Sequence, residues 1–556
     1  MYRMQIYKHL FLLRFYTLIL LIFGYHGVVF SQTRSIILGR PTDTSITASI
    51  LFNQNMVYYL EYGKASGNYT QATSQYYNQA NKPDEIDLHN LAANTKYYYR
   101  VQSKTISATT FTPSPEYSFY TQRAKGSSFT FTIEADEHLY DKKGVKSMYQ
   151  NTLNNEAKDK PDFMLSLGDI FGDDHNPFTI TSAELDSLHK DYRPFLGSIC
   201  HSIPFYVCLG NHEGENDYYY AQNPGNNLCV WATQWRKYYY PNPYPNGFYT
   251  GNTDLESYGI GNPENYYAWT WGDALFVVLD VYRDQCDTSA KPTNWDWTLG
   301  KPQYDWLKYT LEGSSAKYKF VFAHHIRGQG RGGVTNAKLF EWGGYDGNKG
   351  TTYSFPTKRP GWTKPIHKLF VDNGVNIFFQ GHDHVFAHEV MDNIVYQAVP
   401  MPSDSTYEIG MLANADAYVS DTLDGTGHIR VNITPSCIKV DYVRSYLPAD
   451  TLSGIHKNGE VAFSYTIGTC ASTGIDSKFN NNNVRVFPNP GNEKIYIKIS
   501  DDLTLKEATM SNLLGQKITK STSDIIDVSL IPNGIYLITV ETDAGRISKK
   551  IIINHN

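Results

Sequence analysis

Two histidines separated by one aspartate directly follow an apolar run in the stretch FFQGHDHVF, residues 378–386. A strand end in a protein core has no use for this chemistry, whereas a metal site does. Four other apolar runs of the same region also end in potential metal ligands. The candidates after the five runs are Asp136-Glu137-His138, Asp169, Asn211-His212-Glu213, His324-His325 and His382-Asp383-His384. A sixth run, ALFVVLD, ends in Asp280, which we leave out of the predicted site.

The runs that precede these candidates are short and rich in Val, Phe and Leu, and helical patterns lie between several of them. This alternation predicts an α/β layer fold for the region. Such folds gather their sites at the carboxyl ends of strands. A glycine stands before Asp169, Asn211 and His382, where it lets the backbone turn sharply. We therefore expect five separate loops to bring their side chains to one site.

The ligand types point to particular cations. Imidazole and carboxylate together suit zinc, manganese, iron or cobalt better than calcium. The candidates are too many for one tetrahedral ion but sufficient for two, and two ions need a bridging carboxylate, for which Asp169 is the strongest candidate. Two ions about 3.5–4 Å apart can hold a hydroxide and both oxygens of an in-line displacement at phosphorus. Such a pair of ions is therefore suited to displacement at phosphorus.

The motif series DxH, GD, GNH, H and GHxH resembles the calcineurin-like metallophosphoesterase superfamily, and its purple acid phosphatase branch in particular. The resemblance implies a four-layer α/β β-sandwich. It implies one ion held by Asp136, His138, Asp169 and His384, and a second held by Asp169, Asn211, His324 and His382. It also implies that His212 lies over the phosphoryl group, where it stabilises negative charge or protonates the leaving oxygen.

Two departures from the purple acid phosphatase pattern bear on the metals. That branch has a tyrosine three residues after the bridging aspartate, where this chain has Gly172, and a glycine where this chain has His138. The tyrosine is the source of the purple colour in that branch. Both differences therefore favour a site without that colour. Zinc, manganese and iron remain open.

Several alternatives stay open around the site. His325 could touch the substrate or point back into the fold, and Arg327 could clamp a phosphate oxygen. Phosphomonoesters are the first choice of substrate, and phosphodiesters or nucleotides are the second. The alternative from another class is a non-catalytic surface protein whose metal site stiffens a binding module. That class is disfavoured, because a structural site has no need for an open coordination position or for His212.

The segments on either side of the catalytic region, which we place at 127–446, predict further modules. Residues 33–122 show short alternating strands typical of a β-sandwich, and the stretch IDLHNLAANTKYYYRV resembles a fibronectin type III domain. Residues 447–483 are predicted to be a linker, which includes the polar run CASTGIDSKFNNNN.

Residues 484–556 are predicted to form a small β-sandwich. Its motifs resemble the type A sorting domain of the type IX secretion system of Bacteroidetes: Phe487-Pro488-Asn489-Pro490, Leu513-Leu514-Gly515-Gln516 and Pro532-Asn533-Gly534-Ile535-Tyr536. The resemblance implies that the secretion machinery is a partner. It also implies export through the periplasm to the cell surface or the medium.

Residues 1–31 carry three basic residues, no acid and then the apolar run FYTLILLIF, which predicts a cleaved secretory signal peptide. The mature chain would have 46 basic and 55 acidic residues, which argues against a nucleic-acid-binding surface. No later segment has the roughly 20 apolar residues that a membrane span needs. The six cysteines allow several pairings among which the sequence does not choose.

Overall fold

The computed structural model describes residues 34–555 apart from 141–143, 172–176, 286–293, 327–329, 348–349, 410–411, 419, 471–483, 501–502, 513–515 and 543–545. The predicted signal peptide lies outside the described residues, and so does Arg327. The chain divides into two compact units, Met1–Thr469 and Cys470–Asn556, which are described separately below.

The first unit begins with a β-rich region of two antiparallel sheets that enclose an apolar core. One sheet has the order β1-β2-β6, and the other has the order β4-β3-β7-β8 with β5 beside β3 and β9 beside β7. The strands are β1 (Arg34–Gly39), β2 (Ile46–Phe52), β3 (Met56–Gly63), β4 (Gln71–Ala72), β5 (Tyr76–Asn78), β6 (Pro83–Leu88), β7 (Lys96–Thr105), β8 (Thr112–Pro113) and β9 (Tyr117–Tyr120). The hydroxyl of Tyr97 accepts a hydrogen bond from the backbone N–H of Ala92 at 2.8 Å, as at a tyrosine corner. The fibronectin type III assignment itself stays a prediction.

The rest of the first unit contains two larger sheets and most of the helices. Its strands are β10 (Phe129–Glu134), β11 (Phe163–Ser166), β12 (Phe205–Val207), β13 (Thr250–Gly251), β14 (Tyr267–Trp271), β15 (Ala274–Val278), β16 (Tyr318–Phe322), β17 (Tyr345–Asp346), β18 (Thr352–Tyr353), β19 (Ile377–Gln380), β20 (Phe386–Met391), β21 (Ile394–Ala398), β22 (Asp421–Leu423), β23 (Gly427–Ile433), β24 (Cys437–Arg444) and β25 (Val461–Gly468). Its helices are α1 (Lys146–Asp159), α2 (Ser182–Gly197), α3 (Asp217–Tyr220), α4 (Leu228–Tyr239), α5 (Gly300–Glu312), α6 (Val334–Ala337), α7 (Phe340–Gly343), α8 (Phe355–Lys358) and α9 (Ile366–Asp372).

The two large sheets share one apolar core. Their strand orders are β12-β11-β10-β23-β24-β25 and β13-β14-β15-β16-β19-β21-β20-β22. Alternation along β16 shows how the layers form, because Phe320 and Phe322 join the core between the sheets while Val321 joins a second core with α5 and α9. Helices α1 and α2 likewise pack on the outer side of β11 and β12.

The direction of the strands determines where the loops meet. Strands β10, β11 and β12 are parallel, and so are β15, β16, β19 and β21. The loops that follow β10, β11 and β12 therefore leave one edge of the first sheet, and those that follow β16 and β19 leave one edge of the second. All five predicted ligand clusters lie on these loops.

The end of this unit differs from the predicted domain boundary at residue 446. Strand β25 pairs antiparallel with β24, and Phe463, Tyr465 and Ile467 pack against the core between the sheets. Residues up to Gly468 therefore belong to the first unit, and the predicted linker of 447–483 begins too early. A short alternating stretch shows that a strand is present but not which distant strand it joins.

The second unit has its own core and two antiparallel sheets, with the orders β26-β27-β30 and β29-β28-β31-β32. The strands are β26 (Val484–Phe487), β27 (Lys494–Ile499), β28 (Leu505–Asn512), β29 (Lys517–Ser521), β30 (Ile525–Asp527), β31 (Gly534–Thr542) and β32 (Arg546–Ile553). Within the part of the chain that the structure describes, no helix in either unit is long and apolar enough to cross a membrane.

Candidate metal centre

The candidate ligands follow their strands after very short turns. Five of them have backbone φ angles between 45° and 69°, in the left-handed region that side chains rarely adopt; these are Asp136, His138, Asp169, His382 and His384. Such conformations cost on the order of 1–3 kcal/mol each and concentrate at functional sites. The surrounding fold therefore holds these residues in conformations that their local sequence disfavours.

Glycines allow the loops to approach one another. Gly168 has φ +100°, and a Cβ at this position would clash with the backbone nitrogen of Gly210. A Cβ at Gly210 would in turn clash with the carboxylate of Asp169. The expected sharp turn is present at Gly168, whereas Gly210 is needed because the Asp169 side chain lies against it.

The side chains converge into three overlapping groups whose donor atoms lie within 4.8 Å of one another. The groups are Asp136-His138-His384, His138-Asp169-His212 and Asp169-His324-His382. Asp169 belongs to two of the three groups. Its Oδ2 lies 3.7 Å from Nε2 of His138, 3.2 Å from Nε2 of His324 and 3.8 Å from Nε2 of His212.

Asn211 completes the third group. Its Oδ1 lies 2.8 Å from Nδ1 of His382 and 3.2 Å from Nε2 of His324, while those two nitrogens are 3.3 Å apart. On the other side, Nε2 of His138 lies 3.0 Å from Nε2 of His384. Several lone-pair donors therefore point into one small volume, which is an arrangement suited to a cation.

The comparisons with known families agree with this geometry. Residues 129–386 match the family model described as calcineurin-like phosphoesterase. This segment is a calcineurin-like phosphoesterase domain. Residues 485–554 match the model described as a secretion system C-terminal sorting domain, which indicates export by the type IX secretion machinery to the cell surface or the outside.

Among solved structures, the chain is similar to PhoD, with a TM-score of 0.55 and 18% identity over 79% of this chain and 91% of PhoD. At this identity the likeness shows the fold alone. Two further similarities have TM-scores too low to support an argument. They are to GAP50, the anchor in the inner membrane complex of Plasmodium (0.33; 13% identity; 62% of this chain and 90% of that one), and to a predicted phosphoesterase from Streptococcus pneumoniae (0.25; 10%; 62% and 99%). No curated protein matches the chain.

The ligand set of the phosphoesterase domain fits a cation by its chemistry. Oδ1 of Asp136 is buried and has no hydrogen-bond partner, although it lies 3.7 Å from Nε2 of His384 and 3.8 Å from Nε2 of His324. An unpaired buried carboxylate oxygen is costly, and a cation would satisfy it. The family implies divalent metal ions, and these buried groups could hold them.

Burial and charge oppose each other in this cluster. Burial lowers the pKa of His324, but the carboxylates of Asp169 and Asp136 outweigh burial and raise that pKa above its ordinary value. Burial likewise raises the pKa of Asp169, but His324 and His212 outweigh it and hold that pKa well below the ordinary value. Burial and then the charge of His324 lower the pKa of His382 to about 3, so its imidazole is neutral and able to donate a lone pair.

Hydrogen bonds behind the ligands fix their orientation. Nδ1 of His324 lies 2.8 Å from the carbonyl oxygen of Leu167, and Nδ1 of His384 lies 3.0 Å from that of Leu412. In both histidines Nε2 is thereby the nitrogen left to face the centre. In metal sites the second ring nitrogen of a ligand histidine regularly donates a hydrogen bond to a carbonyl or carboxylate oxygen.

Two carboxylates have anchoring roles that sequence reasoning missed. Glu213 accepts hydrogen bonds from the backbone of the Asp169 loop, and Asp383 accepts one from the backbone N–H of Gly332 at 2.9 Å and one from the hydroxyl of Tyr418 at 2.8 Å. The sequence offers both as candidate ligands, but their anchoring role depends on partners that lie far away in the chain, and neither belongs to the three metal-binding groups.

Three further residues that follow β15 or β16 in the sequence are His325, Arg327 and Asp280. His325 is fully buried, with its ring 5.0 Å from that of His382 and its Nε2 3.8 Å from Oδ2 of Asp383, which favours the alternative that it points back into the fold. Arg327 lies outside the described residues. Asp280 accepts backbone N–H groups of Tyr282 and Arg283 and belongs to none of the three metal-binding groups.

The segment 218–249, between the Asn211-His212 loop and β13, is rich in aromatic residues. Tyr239, Tyr240 and Tyr249 are buried in the apolar cores, so much of the segment packs on the scaffold. Phe178, Tyr218 and Tyr219 instead form a partly exposed cluster, with ring centroids 5.3–6.3 Å apart.

Proposed function

We propose that this chain is an exported phosphoesterase that hydrolyses phosphomonoesters at two metal ions. The observation that carries the proposal is the position of Asp169, whose carboxylate belongs to two of the three donor groups. A carboxylate shared in this way is what a bridged pair of ions requires.

The two ion sites of the proposal divide the ligands as the family resemblance implies. Asp136, His138 and His384 would hold one ion with Asp169, and Asn211, His324 and His382 would hold the other. Zinc, manganese and iron all suit this mixture of imidazole and oxygen ligands. When bound, such ions supply positive charge to the phosphoryl oxygens and make water a better nucleophile.

His212 has the geometry of a group that acts on the substrate. Its backbone N–H donates to Oδ1 of Asp169 at 2.8 Å, and this bond fixes its loop. Its side chain is about 20% exposed, whereas those of Asp169 and His324 are buried. A half-buried imidazole at the entrance to the site can stabilise charge on the phosphoryl group or donate a proton to the leaving oxygen.

The test is hydrolysis of p-nitrophenyl phosphate and bis(p-nitrophenyl) phosphate by the purified protein, with the bound metals quantified. Asp169→Asn should abolish hydrolysis and reduce the number of bound ions, and a chelator should abolish hydrolysis by the wild type. Asp280→Asn is a matched control because it makes the same change directly after strand β15 of the other large sheet. Asp280 belongs to none of the three donor groups, so this variant should keep its bound metals and its activity.

The outcomes separate the candidate functions. Faster hydrolysis of the monoester supports the proposal. Faster hydrolysis of the diester would instead make phosphodiesters or nucleotides the substrate class. Two bound ions without hydrolysis of either ester or of a wider phosphoester library would favour a non-catalytic surface protein instead.

A further inference from the structure

The smaller sheet of the C-terminal unit presents an unusual outward face. In β26, β27 and β30 the residues Phe487, Tyr496 and Ile525 lie side by side, since Phe487 pairs with Tyr496 and Tyr496 pairs with Ile525. Their exposed fractions are 46%, 41% and 38%. The rings of Phe487 and Tyr496 stack with centroids 5.9 Å apart.

The core of this unit does not account for that apolar row. The alternate residues of the same strands, Val484, Ile495, Ile497 and Ile526, point inward and form the core together with the larger sheet. The outward row is therefore additional apolar surface that the unit does not bury itself. Exposed aromatic side chains of this kind are enriched at protein interfaces.

Basic residues flank the row. Arg485 lies directly opposite Lys498 in the register of β26 and β27, and both are exposed. Like charges in directly opposed positions destabilise a sheet. Among the described residues neither of the two has an acidic partner at ion-pair distance. Lys494, at the other end of the row, lies opposite Asp527.

We propose that this outward face, which comprises Phe487, Tyr496 and Ile525 with Arg485 and Lys498, docks on an acidic protein surface of the export machinery. The apolar row would fill a hydrophobic patch at the centre of the contact, and the two basic residues would pair with carboxylates at its rim. This arrangement explains why two cations stand opposite each other, because the partner neutralises both.

The charges disfavour other occupants of the face. A second copy of the chain would bring two basic faces together and increase the repulsion. An anionic membrane surface is typically recognised by clusters of about four to eight basic residues, which is more than this face provides. An acidic protein with an apolar centre matches both the charge and the aromatic row.

The inference concerns export and is independent of the reaction proposed above. The test uses the full-length precursor in a bacterium that has a type IX secretion system, with immunodetection of the chain in the periplasm and outside the cell. One variant combines Phe487→Ser with Tyr496→Ser, and a second combines Arg485→Glu with Lys498→Glu. The matched control combines Ile518→Ser with Leu530→Ser, two exposed apolar residues that lie outside this face and outside the sorting motifs.

Both face variants should reduce the exported fraction about tenfold, which corresponds to about 1.4 kcal/mol of lost binding, while the control is exported like the wild type. Thermal unfolding of the purified proteins identifies any variant that fails to fold, and the charge reversal retains every core residue. Normal export of the charge-reversed protein would overturn the inference. A control variant that stays in the periplasm to the same extent as the face variants would also overturn it.

Two measurements on the purified protein distinguish the other occupants. Sedimentation with vesicles that contain 30% phosphatidylglycerol would reveal a lipid surface. Sedimentation velocity would reveal a dimer. Binding to vesicles, or dimerisation, that the face variants abolish would overturn the acidic protein partner. Absence of both, together with the export defect, supports it.

Discussion

The carboxylate of Glu213 accepts a hydrogen bond from the backbone N–H of Asp169, with 3.0 Å between Oε2 and the nitrogen. Its Oε1 accepts the next N–H, that of Ile170, at 2.7 Å. Burial raises the pKa of Glu213, and the Asp169 charge adds to this, while the backbone N–H groups lower it. The loop after β12 therefore orients the loop after β11, and with it the proposed bridging ligand.

We expect Glu213→Gln to lower metal affinity or kcat about 10- to 100-fold, because the amide places an N–H group against backbone donors that need an acceptor. Metal titration and kcat on p-nitrophenyl phosphate measure the effect. Glu312→Gln, an exposed position at the end of α5, is the control. Wild-type values in both measurements would contradict the anchoring role.

His212→Asn should lower kcat about 10²- to 10⁴-fold for an alkyl phosphate, whose leaving oxygen needs a proton. The loss should be smaller for p-nitrophenyl phosphate, because its phenolate leaves without protonation. Metal content should remain that of the wild type. If His212 were instead a ligand, as its place in the second donor group permits, the variant would lose an ion and both substrates would be affected equally.

His138→Gly separates strain from ligation at one position. The left-handed backbone of His138 should relax in the variant, and this gain of about 1 kcal/mol is partly offset by the entropy of glycine. The melting temperature of the metal-free protein should therefore change little, while affinity for one ion falls at least tenfold. Asn90→Gly, also at positive φ but in the loop between β6 and β7 of the N-terminal region, is the control for the backbone effect. Unchanged binding of both ions would exclude His138 as a ligand.

His189 should contribute to acid sensitivity. Burial first, and then Arg236 and Arg193, lower its pKa to about 3 in the folded protein. The unfolded value is about 6.5, so between these two values the unfolded state binds the additional proton and stability falls as the pH falls.

The loss from His189 alone is about 1.4 kcal/mol per pH unit in this window. Denaturant unfolding of the wild type and of His189→Gln from pH 7 to pH 4 measures it, and the difference between the two proteins should shift in favour of the variant at low pH. His89→Gln, at an exposed position, should follow the wild type. A parallel fall in all three proteins would contradict the assignment.

The sequence by itself determined the local part of the site. An apolar run followed by glycine and a histidine or carboxylate identifies a strand end with a potential ligand, and this pattern located Asp169, Asn211 and His382 without knowledge of the fold. The parallel order of β10, β11 and β12 and of β15, β16 and β19 then follows from the alternation of strands and helices, whereas the other strands of these sheets add antiparallel pairs. Both signals are short-range, so they can be read from consecutive residues.

Only the tertiary structure decided which distant groups support that site. The hydrogen bonds from Glu213 to the Asp169 loop, the inward direction of His325 and the pairing of β25 with β24 all join residues that are far apart in the chain or depend on packing. An edge strand carries the same alternation whichever sheet it completes, and a buried histidine has the same sequence context as an exposed one. Their positions follow from the packing of the two large sheets, which no local pattern specifies.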